Sequence, residues 1–264
     1  MTLGKPDQNA EGLIFLHIPK TGGTTLSALI QSNYPGEKIY YLHSRSEKEK
    51  FLALPETEKN RCRILSGHFH CGIQRELPFR AWRMMTMLRE PADRTASFYF
   101  HALRNPGHYL HAKLLESGMA FDAFAQSDLT LEADNFQVRM LSETMEEYAR
   151  PLGDEDLQKA FRCLNENMAA FGILEKFDDS IRHFSDVFQW KNQAYTPLNG
   201  GWENNAGFQM SQTTRRAVLK RNALDAELYQ SGKKLFDARV LKSWRRKWFI
   251  PDVLRIQRAH VKEF

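Results

Sequence analysis

The stretch that most constrains this chain is Leu13-Ile14-Phe15-Leu16-His17-Ile18-Pro19-Lys20-Thr21-Gly22-Gly23-Thr24-Thr25-Leu26. An apolar run of strand character meets Pro-Lys, two glycines and two threonines. Leu26-Ser27-Ala28-Leu29-Ile30 then reads as the opening of an amphipathic helix. A strand, a tight glycine turn and a helix start are the parts of an anion cradle. Glycines let backbone approach an oxyanion closely, and the first helical N–H groups lack internal partners and point outward with the positive end of the helix dipole. Lys20 adds a full charge, and Thr24 and Thr25 add hydroxyl donors. The plainer alternative is a strand–turn–helix connection with an exposed lysine. The concurrence of Lys, Gly-Gly and Thr-Thr at one junction argues against it. The loop is not a Walker A sequence, in which Lys-Ser/Thr closes a longer glycine loop. Here the lysine precedes the glycines, which weakens an ATP- and Mg²⁺-dependent reading.

Further along, apolar runs at 12–18, 38–43, 63–69, 82–88 and 169–174 predict five strands. Helical patterns fall between and after them, at 24–33, 46–60 with an interruption at Pro55, 91–104, 108–117, 121–126, 133–142, 155–166, 176–188 and 213–248 with a break near Asn222. Short buried strands alternating with helices predict a parallel sheet covered on both faces, with ligands at the carboxyl ends of its strands. The fold class is therefore α/β, a P-loop-like three-layer arrangement with a largely helical middle and C-terminal region. Residues 1–264 are read as one domain, with 1–11 a loose arm and 240–264 a helical appendage.

A second strand end carries Met87-Leu88-Arg89-Glu90-Pro91-Ala92-Asp93-Arg94-Thr95-Ala96-Ser97-Phe98-Tyr99-Phe100-His101. Pro91 sits at a favoured first-turn position. Asp93, Ser97 and His101 are spaced four apart and share a helix face. An arginine fork at the strand tip and a hydroxyl converging with it suit a second phosphate. Alone, Arg89 or Ser97 would be read as a surface pair or a helical serine bonded to its own backbone.

Together these residues resemble the sulfotransferases. A strand, then Pro-Lys-Thr-Gly-Gly-Thr-Thr, then Leu-Arg-Glu-Pro-x-x-Arg-x-x-Ser-x-Tyr, is most similar to the group holding heparan sulfate 2-O-sulfotransferase and its bacterial relatives. The resemblance covers the first hundred residues well, and 171–184 and 211–239 more loosely. It implies use of 3′-phosphoadenosine-5′-phosphosulfate (PAPS). Lys20, Thr21, Gly22, Gly23, Thr24 and Thr25 would hold the 5′-phosphosulfate, and Arg89 and Ser97 the 3′-phosphate. It also implies that the Gly67-His68 strand end supplies the base, with Lys20 facing the leaving phosphate. The chemistry agrees, since an attacking hydroxyl must lose a proton and a histidine titrating near neutrality can take it. His68 and His70 alternate on a strand with Cys71 nearby, which raises a metal site. No further ligand stands at matching spacing, so no metal is expected and His70 has no assigned role.

The expected function is sulfuryl transfer from PAPS to a hydroxyl of a saccharide or lipid-linked acceptor. The alternatives are a P-loop-type nucleotide or small-molecule kinase, and a non-catalytic nucleotide- or polyanion-binding module. Asn135, Gln137 and Arg139 either line the acceptor site or are surface polar groups, and the 209–216 segment is a candidate closure over the nucleotide. Trp244-Arg245-Arg246-Lys247-Trp248-Phe249 is either a peripheral membrane contact or a solvated helix face. The net charge of +5 fits an anionic ligand without pointing to nucleic acid. Three cysteines without CxxC spacing predict a reducing compartment and no disulfide. With no apolar run of membrane-spanning length and no signal-like N-terminus, the expected location is the cytoplasm. The sequence carries no indication of oligomeric state.

Overall fold

The structure, a computed structural model, describes residues 11–77, 81–142, 150–196 and 208–248, the last six of these as backbone only. Residues 1–10 of the arm expected at 1–11, the side chains of 244–248 in the basic aromatic cluster and all of Phe249 lie outside the described residues.

Five strands, β1 (Gly12–Leu16), β2 (Ile39–Leu42), β3 (Ile64–Gly67), β4 (Trp82–Leu88) and β5 (Met168–Ile173), form one sheet in the order β2-β3-β1-β4-β5. Every pairing is parallel. Such a sheet needs cover on both faces, and the alternation in β1 supplies it. Leu13 and Phe15 pack with Leu26, Leu29 and Ile30 of α1 (Gly23–Asn33) and with Ile181 and Phe184 of α9 (Phe177–Phe188). Ile14 and Leu16 face the opposite way, into a cluster with Val138 and Leu141 of α7 (Phe136–Leu141) and Leu228 and Phe236 of α11 (Ala223–Trp248). Phe15 and Ile14 are fully buried, as a strand covered twice requires.

A third apolar cluster stands beyond the strand ends, where α4 (Pro91–Arg104), α5 (His111–Ser117), α6 (Phe121–Phe124) and α10 (Gln212–Arg221) meet around Phe98, Tyr99 and Phe124. β4 and α4 take the expected bounds. The charged 46–60 segment is α2 (Arg45–Leu52) and α3 (Glu56–Lys59), divided at Pro55. The helix expected over 155–166 is α8 (Asp154–Arg162) followed by a π turn over Cys163–Asn167. Asn222 breaks the last long helix as expected, and the stretch beyond 240 continues α11 to Trp248. Among the described residues, no helix is long and apolar enough to cross a membrane.

The cysteine expectation is overturned. Cys71 and Cys163 form a disulfide across 92 residues of chain, leaving buried Cys62 as the free thiol. The pairing is made by the fold. Cys71 N–H donates to Met140 O at 2.9 Å, which holds the segment after β3 against the α7 layer where Cys163 is packed. The cysteine argument for a reducing compartment therefore falls away. Replacing both cysteines by serine should lower stability by about 2–4 kcal/mol, because the bond restricts the unfolded chain. Chemical denaturation of the oxidised and doubly substituted proteins measures it, and equal midpoints would contradict the bond.

Candidate active site

The carboxyl ends of β1, β3 and β4 open on a cavity of about 1060 Å³. The turn after β1 is built by local chemistry. Thr21 Oγ1 donates to Ile18 O at 2.7 Å, Lys20 takes a left-handed φ of 70°, and Gly22 follows at φ 84° as the N-cap of α1. A side chain at Gly22 would meet Leu174 Cδ1 at 2.7 Å, and one at Gly23 would lie 1.8 Å from His17 Nε2. Gly22 is required by its left-handed backbone angle, and Gly23 leaves the space that the His17 imidazole fills.

Of the residues expected to hold the 5′-phosphosulfate, Lys20, Gly22, Gly23, Thr24 and Thr25 line the cavity. Thr21 does not bring its hydroxyl there, since its side chain is fully buried and bonded to Ile18. Arg89 and Ser97 line the same cavity, and so does His68 from the end of β3. Arg89 Nη1 donates to Lys20 O at 3.0 Å, joining the two strand-end motifs directly. Burial lowers the Lys20 ammonium to about 8, with the nearby charges of Arg89 and then Arg104 acting in the same direction.

His68 Nδ1 donates to His17 O at 2.7 Å. A carbonyl can only accept, so this bond fixes the tautomer and leaves Nε2 with its lone pair. Burial lowers His68 to about 4, opposed by that hydrogen bond. His101, one turn beyond Ser97, is likewise lowered to about 4 by burial and then by Lys20.

Three cavity histidines, His17, His43 and His108, were not legible in sequence as site residues. His17 and His43 each follow a strand directly, and both line the cavity beside His68. Glu132 also lines it, with its carboxyl raised to about 7 by burial.

The segment around Asn135 is corrected. Asn135, Gln137 and Arg139 are all buried, so they neither line the cavity nor sit on the surface. Asn135, at φ 47°, accepts from Asp225 N while its own N–H donates to Asn222 Oδ1. Arg139 pairs with Asp134 at 2.9 Å. Gln137 Oε1 accepts from Arg89 N at 3.0 Å, and Gln137 Nε2 donates to Arg89 O at 2.9 Å. This clamp positions the Arg89 backbone at the strand tip. Arg94 also points inward, fully buried, and donates to Glu132 O. In the 209–216 segment, Arg215 pairs with Glu90 and Asp93 at the start of α4.

Residues 7–230 match the model of the Sulfotransferase family. The chain belongs to the sulfotransferase family. A heparan-sulfate 6-O-sulfotransferase 2 of Danio rerio is 25% identical over 273 residues, covering 85% of this chain and 58% of that protein. A protein-tyrosine sulfotransferase of Arabidopsis thaliana is 27% identical over 142 residues, covering 51% of this chain and 26% of that protein. The chain thus spans less than two thirds of the length of either of these curated relatives. Among solved structures, a sulfotransferase from Alicyclobacillus acidocaldarius aligns with a TM-score of 0.43 at 13% identity, covering 84% of this chain and 95% of that one. Mouse sulfotransferase SULT7A1, complexed with PAP, aligns with a TM-score of 0.42 at 14% identity, covering 97% and 92%.

Gln137→Leu should destabilise the chain by about 2–3 kcal/mol, because Arg89 N–H and C=O lose their buried partners. Chemical denaturation reads the loss, and an unchanged midpoint would show that the clamp carries no stability.

Proposed function

We propose that the chain transfers a sulfuryl group from PAPS to a hydroxyl acceptor of the saccharide or lipid-linked class, with residues 1–264 acting as one sulfotransferase domain. The observation that carries this reading is the convergence of Lys20, Arg89 and Arg104 with the N-terminus of α1 on one cavity. Burial and mutual repulsion lower Lys20 there, and an entering polyanion relieves both effects. A kinase reading has less support, because the lysine stands before the glycines rather than after them. The non-catalytic reading gives no role to the oriented His68.

When bound, PAPS supplies an activated sulfuryl group on a phosphate leaving group. Lys20, Gly22, Gly23, Thr24 and Thr25 would hold its 5′ end, Thr21 only through its amide, and Arg89 and Ser97 its 3′-phosphate. Lys20 and the amides opening α1 meet the charge that builds on the departing phosphate oxygen. His68 Nε2 takes the proton as the acceptor oxygen bonds to sulfur, and the sulfur–phosphate oxygen bond breaks in line. A nearby anion raises His68 from its lowered value toward neutrality, where a base works best. The rings of Tyr109, Phe177 and Tyr195 line the cavity and suit contact with the apolar face of a sugar.

PAP should raise the melting temperature well above any effect of ADP. An equal response would count against the nucleotide assignment. At pH 8 PAP binding should take up protons, since burial and neighbouring charges lower Lys20 to about 8 and the entering anion raises it again. Calorimetry in buffers of different ionisation enthalpy reads this, and the uptake should vanish in Lys20→Ala together with sulfate transfer. His68→Ala should lower turnover about 10²–10⁴-fold with PAP affinity nearly intact. Loss of PAP binding instead would make His68 structural.

A further inference from the structure

His17, His43 and His68 come from three separate parts of the sequence, but the sheet sets them in a row. In the sheet register, Leu16 pairs with Gly67, and Gly67 pairs with Leu42 on its other side. Each histidine is the next residue along its own strand. The backbone continues this alignment, with His17 N donating to Gly67 O at 2.8 Å and His68 N donating to Leu42 O at 2.9 Å. Equal register on neighbouring parallel strands puts side chains on the same face. The three imidazoles accordingly gather at the cavity edge, with ring centroids 4.7 Å apart for His17–His68, 4.9 Å for His43–His68 and 6.1 Å for His17–His43.

Three features of this row point to a ligand. One nitrogen from each ring falls in a group whose members all lie within 4.8 Å of one another. His68 donates from Nδ1 to a backbone carbonyl, the outer hydrogen bond that orients a metal-binding imidazole and leaves Nε2 as donor atom. His17 Nδ1 is buried without a hydrogen-bond partner in a cavity wall. A tetrahedral cation with nitrogen ligands at about 2.0–2.1 Å needs them roughly 3.3 Å apart, so small rotations of exposed His43 and its neighbours complete the cage. The donor set is three imidazoles with an open side toward the cavity. That suits zinc and its borderline neighbours, and it excludes Mg²⁺ and Ca²⁺, which require oxygen.

We propose that His17, His43 and His68 form a binding site for a zinc-class divalent cation, and that its occupancy silences the enzyme by taking the lone pair of His68 Nε2. The binding claim stands on the histidine row alone. The silencing claim rests on His68 being the base in the function proposed above. No electron is transferred, and the cation exchanges water for three neutral nitrogens. The free zinc concentration then sets the fraction of enzyme able to accept a proton.

The probe is Co²⁺ titrated into the full chain, followed by its visible absorption, with Zn²⁺ as competitor. The expected result is one equivalent bound with the intense spectrum of a tetrahedral centre, displaced by Zn²⁺ and unaffected by Mg²⁺. His17→Gln, His43→Gln and His68→Gln should each weaken binding about tenfold or more. His43 is exposed, so its variant tests the site without disturbing the core. In the unsubstituted chain, Zn²⁺ should protect all three imidazoles from diethyl pyrocarbonate in peptide mapping, a readout that needs no variant. A flat cobalt titration, unprotected histidines, or wild-type affinity in His43→Gln would overturn the site. If cobalt binds but sulfate transfer from PAPS continues undiminished at saturation, the silencing claim is overturned. If cobalt binds and no transfer from PAPS is seen under any condition, the failure belongs to the proposed function and not to the metal site.

Discussion

The hydrogen bond from the Arg89 guanidinium to the Lys20 carbonyl joins two loops that are 69 residues apart in sequence. Both loops leave neighbouring strands, β1 and β4, whose parallel pairing runs from Gly12↔Trp82 to Leu16↔Thr86. Parallel pairing is what places two strand tips side by side and pointing the same way. Thr86 reinforces it by donating to Leu16 O at 2.7 Å across the junction. Arg89 is held from behind by the Gln137 amide, and Gln137 belongs to a helix whose first amides are capped by Asp225. A line of buried polar contacts thus runs from α11 through α7 to the strand tip and on to the anion loop. Each link is satisfied, which in a low-dielectric interior makes the arrangement rigid rather than merely stable.

Much of this was legible because it is local. Strand β4 and helix α4 meet at Glu90-Pro91, and both take the bounds expected from an apolar run and a proline at the first turn. The anion loop was readable for the same reason, since its lysine, glycines and threonines are contiguous. What was not legible depends on contacts far apart in sequence. The helix expected over 133–142 is cut at Asn135, whose left-handed backbone is held by Asn222, 87 residues away. Gln137 read as an acceptor-site or surface polar group, and only the packing of α7 against β4 gives it Arg89 as a partner. The cysteines were misread because the bond between residues 71 and 163 has no signature in spacing.

The histidine row was hidden in another way. Searching for ligands by spacing within one strand found His68 and His70, which are two residues apart. His70 instead lies 3.6 Å from Glu76 and is not among the residues that line the cavity. The row that exists runs across strands, at one register position on each. Its only trace in sequence is that Leu16-His17, Leu42-His43 and Gly67-His68 are all strand-end dipeptides, a pattern that becomes visible once the strand order is known.

The contact between Gly23 and His17 has a consequence for how this loop can change. An imidazole occupies the space where a β-carbon at position 23 would stand. An alanine at 23 would push the ring aside, and a smaller residue at 17 would open a hollow under the first turn of α1. The imidazole is the end of a rotatable side chain, so a methyl at 23 would turn it away from His68 rather than unfold the loop. The bare backbone at position 23 thereby decides where the first histidine of the row stands.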